Sequence, residues 1–193
     1  MARITDTSRI ENLEDAAIEL VVEKGYSSSS VSDIARNAGI SAGYLYSHYK
    51  SKEDLVLSIY EKNINIFDEY IDYIIASSST INEFARQFLS YMFGKANEFP
   101  HLVRFLLLLV FDRTFDIPAM RLDKTREQCR KILKKGIETG EIAAHYSPED
   151  VYIVYFSIPF TLLENRLENI SGYREITEAD VDRVSGMCIK ALQ

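Results

Sequence analysis

The chain has 193 residues, 47% of them hydrophobic, with only 8 Gly and 4 Pro, so there is ample apolar material for a core and little turn chemistry for a sheet-rich or disordered protein. A formal charge of -7 excludes a strongly basic coat, and Cys129 and Cys188 stand at no metal-ligand spacing, which reads as two reduced structural thiols with no metal site and no disulfide. The first residues are polar and the longest apolar run, Phe105 to Phe111, is too short for a bilayer, so a soluble cytoplasmic protein without a membrane segment is expected.

Taken in chain order, Ser8 starts a first helix in which Ile10, Leu13, Ala17, Leu20 and Val21 recur at helical spacing until Gly25 stops it. Ser30 and Asp33 then fit a capping box; Ile34, Ala35 and Ala38 give a second helix its apolar side, and Gly39 ends it in a left-handed turn. Ser41 caps a third helix, on which Leu45 and Tyr49 take the buried side and Ala42, Gly43, Tyr44, Ser47 and His48 face outward. Two short helices about a Gly turn, with small residues at their crossing, spell a helix-turn-helix.

Ser51 and Asp54 form a second capping box, from which Leu55, Ile59, Ile66, Tyr70, Tyr73 and Ile74 continue a long helix to the serines at 77–79. Thr80 precedes a helix with Phe84, Phe88, Tyr91 and Met92 on one side. Pro100 opens another whose apolar surface is nearly continuous, which predicts a place in the centre of the body. Pro118 opens a Lys- and Arg-rich helix that closes at Gly136 or Gly140, Ser147 and Pro148 start a broadly apolar helix, and Thr177 with Asp180 caps a last one. The expected fold is all-α.

Val31, Asp33, Ile34, Ala35, Ala38, Gly39, Ile40, Ser41, Gly43, Leu45, Tyr46, His48, Tyr49, Ser51, Lys52, Glu53 and Leu55, with Ala16, Ala17, Leu20, Gly25 and Tyr26 upstream, resemble the TetR family of transcriptional regulators. The resemblance covers about the first third of the chain. It implies a DNA-binding head at 1–52, extending into the fourth helix to about residue 68, and a helical effector-binding and dimerisation body at 53–193. It also implies a ligand-responsive repressor that binds double-stranded DNA at a near-palindromic operator, as a homodimer through its last two helices.

Carried over from the family, Ala42, Gly43 and Tyr44 look like base-facing positions, and Ser29, Tyr46, His48 and Lys52 resemble its phosphate contacts. Ser32 stands where many relatives carry a base. The head holds six bases (Arg3, Arg9, Lys24, Arg36, Lys50, Lys52) against seven acids (Asp6, Glu11, Glu14, Asp15, Glu19, Glu23, Asp33), so modest affinity with strong salt dependence is expected. In the body, Phe84, Phe88, Tyr91, Met92, Phe105, Leu109, Tyr152, Tyr155 and Phe160 could line a pocket for a largely apolar effector of unknown identity, with Glu164 or Asn165 for orientation. No cofactor is called for. His48, His101 and His145 are widely separated, and no nucleophile-base pair or phosphate-binding Gly loop is present, which argues against an enzyme. A helical protein-interaction module with a degenerate DNA-binding head is the alternative.

Overall fold

The computed structural model describes residues 6–170 and 175–193, and every regular element among them is helical. They are α1 (Asp6–Lys24), α2 (Val31–Asn37), α3 (Ala42–His48), α4 (Lys52–Ser77), α5 (Ile81–Glu98), α6 (Pro100–Phe111), α7 (Ala119–Glu138), α8 (Pro148–Tyr152), α9 (Ile158–Leu167) and α10 (Glu178–Ala191). Asp6 and Thr7, ahead of the expected start at Ser8, are already helical.

The punctuation follows the sequence. Gly25 and Gly39 take φ of +83° and +66°, conformations in which a Cβ is strained, and so close α1 and α2. Ser30, Ser41, Thr80 and Ser147 each accept a hydrogen bond from the backbone N–H three residues on, satisfying donors that a helix start leaves without partners. Thr177 and Asp180 close a full capping box on α10.

Chain contacts divide the molecule into two compact units. Unit one comprises the described residues up to Ile66 together with His101–Asp116, so α6 belongs to it. Its core is Leu13, Ala17, Leu20, Val21, Ile34, Leu45, Leu55 and Val56, all buried. Phe115, just after α6, packs edge-on against Tyr26 at 5.2 Å and Tyr60 at 5.5 Å, while Ser27 and Thr114 share a hydrogen bond of 2.7 Å. These contacts bring α6 to the helix-turn-helix. The expectation that α6 sits in the centre of the body is therefore corrected: it lies in unit one, with Phe105, Leu107 and Leu109 buried and Leu102, Leu106, Leu108 and Val110 only half-buried.

Unit two holds Phe67–Pro100 and the described residues from Ile117 onward. Within it α5 packs on α10 and α7 on α8. Asp68 of α4 pairs with Arg121 of α7, and Arg166 pairs with Asp180 at 3.2 Å, so these little-exposed charges are compensated. The helix expected after Ser147 is interrupted. A π-helical turn at Ile153–Ser157 separates α8 from α9, and Pro159 accounts for it: proline has no N–H for the carbonyl of Tyr155, and its ring crowds that carbonyl in a regular α-turn.

Candidate nucleic-acid interface

Three bonds set the pitch of α3. The Ile40 N–H reaches the Ala35 carbonyl at 2.9 Å across the Gly39 turn, the Ser41 hydroxyl accepts from the Tyr44 N–H at 3.1 Å, and the Tyr49 N–H closes the far end on Leu45 at 2.9 Å. Leu45 is fully buried beneath the helix. Gly43, Tyr46, Ser47 and His48 are exposed, with Tyr46 at 56% despite its size. An added Cβ on Gly43 would meet only the Ser41 hydroxyl, at 3.8 Å, so packing within the protein does not require a glycine there.

Tyr44 is less free than its spacing implied. Its phenol donates to Asp6 at 2.6 Å, its ring lies 4.8 Å from that of His48, and the Arg9 guanidinium sits 5.7 Å from its centroid. The bond to Asp6 raises the Tyr44 pKa, because the carboxylate holds the phenolic proton. Ala42 is half-buried. Asp6 and Arg9 were missed by sequence reasoning; their i, i+3 spacing in α1 puts them on one side, but nothing local couples them to Tyr44, which lies 38 positions from Asp6.

The expected phosphate contacts divide. Tyr46 and His48 are exposed beside one another on α3. Ser29 is buried, and its hydroxyl donates at 2.8 Å to the Tyr26 carbonyl, so its proton is already committed. Lys52 is half-buried, donates to the same carbonyl at 2.8 Å and lies 4.2 Å from the Tyr26 ring centroid. Two of its three ammonium donors remain beyond that bond. Of the remaining cations, Lys24 and Arg36 both pair with Asp33, and Lys62 pairs with Glu14.

In unit two, Phe84, Phe88, Tyr91, Tyr152, Tyr155 and Phe160 join one network of ring contacts, which Phe67, Tyr70 and Phe156 complete. Phe156 could have been found from the four-residue steps Tyr152, Phe156, Phe160. Met92 is buried on α5, whereas Phe105 and Leu109 are buried on α6 within unit one. Glu164 is exposed and Asn165 half-buried. Among the described residues no group of His, Cys, Asp and Glu could hold a metal ion, and no helix is long and apolar enough to cross a membrane.

Residues 13–59 match the family model described as bacterial regulatory proteins, tetR family. The fatty acid metabolism regulator protein of Bacillus subtilis is 38% identical over 69 residues, 36% of this chain, and the match spans about a third of that relative's length. The transcriptional repressor KstR2 of Mycolicibacterium smegmatis is 27% identical over 151 residues, 77% of this chain and 73% of its own. Among solved structures, FadR from Bacillus subtilis in complex with stearoyl-CoA superposes with a TM-score of 0.76 at 23% identity, covering 95% of this chain and 99% of that one. Residues 13–59, which hold the capped helix-turn-helix, thus match the tetR family of bacterial regulatory proteins, and nearly the whole chain shares the fold of FadR.

Proposed function

We propose that this protein is a homodimeric transcriptional repressor that reads a near-palindromic operator with α3 and releases it when an acyl effector binds. The observation that carries the reading is the outer side of α3: Gly43, Tyr46, Ser47 and His48 exposed above a fully buried Leu45, on a helix pinned by caps at both ends. Ala42, Gly43 and Tyr44 meet base edges in the major groove, and Tyr46, His48 and Lys52 donate to phosphates. The near-neutral head makes that binding modest and salt-sensitive.

Dimerisation through the helices after Ser147 is supported by large apolar side chains left exposed there, Ile153 at 48% and Met187 at 50%. The aromatic network of unit two supports an apolar ligand, and the stearoyl-CoA held by the Bacillus subtilis FadR supports a fatty acyl thioester as its class. Such an effector acts only through its preference for the released state, with a coupling of about 1–3 kcal/mol. Selection of duplexes from a random pool by the purified protein, at low and moderate salt, should enrich a palindrome with half-sites one helical turn apart. Decanoyl-CoA should then release that duplex; absence of enrichment at both salts would overturn the reading.

A further inference from the structure

We infer that the Tyr155 hydroxyl is the polar anchor of the effector site in unit two, donating its hydrogen bond to the neutral carbonyl oxygen of an acyl group whose chain lies along the aromatic network. The inference rests on the acyl-ligand reading above and adds to it the residue and the chemical form of the ligand.

Tyr155 is 1% exposed, and among the described residues its hydroxyl has no hydrogen-bond partner. A polar group taken out of water without a partner is unfavourable, and native interiors contain few of them. Phenylalanine would fill the same space without that cost. The position is also unusual in its backbone: Tyr155 is the central residue of the π-helical turn, a widened turn that re-aims side chains and recurs at binding sites. The Cys188 thiol donates to the Val154 carbonyl at 3.2 Å, holding that turn in place. The Tyr155 ring meets Phe84 at 5.9 Å, which connects the hydroxyl to the rest of the network.

The electrostatics select the ligand's form. Burial, with Cys188 and Glu141 adding to it, pushes the Tyr155 pKa far up, so the hydroxyl remains a donor throughout the physiological range. Glu141 is committed to the N-terminus of α5, accepting from the N–H groups of Ile81 at 2.7 Å and Asn82 at 3.2 Å. Arg166 and Arg121, deeply set cations of the same unit, already pair with Asp180 and Asp68. A carboxylate brought to Tyr155 would lose its hydration beside an acid, whereas an ester or thioester carbonyl needs only the one donor.

The test compares wild type with Tyr155→Phe in thermal unfolding without ligand and in calorimetric titration with decanoyl-CoA, methyl decanoate, decanoate and CoA alone. The expected result is an unliganded Tyr155→Phe protein that melts at or above the wild-type temperature, and yet binds decanoyl-CoA and methyl decanoate roughly tenfold more weakly. Decanoate should bind both proteins poorly. A substantial fall in the melting temperature would show that the hydroxyl is structural, and wild-type affinity for the two neutral ligands in the variant would show that it is no anchor. Wild type that binds neither neutral ligand would overturn the acyl reading and this inference together, whereas undiminished binding to the variant removes the anchor alone.

Discussion

At the scale of the residue, the contact proposed between Tyr44 and a base turns on where the phenol's proton lies. The phenol donates to Asp6 at 2.6 Å, so its oxygen has lone pairs to offer and no further hydrogen. In the major groove an acceptor of that kind pairs with the amino groups of cytosine and adenine, and not with the acceptors of guanine or the oxygen of thymine. Duplex selection with the wild type should therefore favour C or A at the position under Tyr44. Asp6→Ala frees the proton and should admit G and T there; an unchanged preference in the variant would remove Asp6 from the readout. Leu45 and Ser41 were legible from spacing alone, because a buried side and a cap are local properties of one helix. The tie from Tyr44 to Asp6 was not, since it depends on how α1 crosses α3.

At the scale of the element, caps and backbone breaks differ in how openly the sequence shows them. The Ser30 cap of α2 was read directly, and Ser30→Ala should cost about 1 kcal/mol in a urea titration at neutral pH. Asp33 makes the same cap pH-dependent. Its bond to the Ser30 hydroxyl, opposed by partial desolvation and aided by Lys24 and Arg36, holds its pKa below the ordinary 3.8. A depressed carboxyl stabilises the fold above its unfolded pKa and ceases to do so as pH falls through the folded value, so the contribution is intact above about pH 5 and fades below pH 4. The Ser30→Ala penalty should shrink in that acid window; a penalty constant from pH 7 to pH 3 would contradict the linkage. The π-helical turn went unread because Val151, Val154, Tyr155 and Ile158 fit a regular helix. Pro159 was its visible sign, a missing donor one turn past Tyr155.

At the scale of the whole molecule, the helical class and the order of helices followed from periodicity, while the partner of each helix did not. The apolar surface of α6 suggested the centre of the body because burial was inferred without knowing against what. Phe115 explains the outcome: a ring beyond the end of α6 inserts against Tyr26 and Tyr60 and completes unit one. Phe115→Ala should cost about 3 kcal/mol and, in native-state hydrogen exchange, lower the protection of α1 and the first turns of α4 more than that of α5 and α10. Uniform loss of protection would argue against so local a role.

The composition of unit one also bears on its synthesis. A nascent chain that has emerged only as far as Ile66 carries the whole helix-turn-helix and still lacks the segment from His101 to Asp116 that packs with it. At about 5–20 residues per second, translation needs a further few seconds to supply Phe115. During that interval Tyr26 and Tyr60 are without their aromatic partner, and unit one is unfinished although the helix-turn-helix has been made. Unit one is thus completed late, and a chain cut short before His101 has the helix-turn-helix without the segment that packs with it.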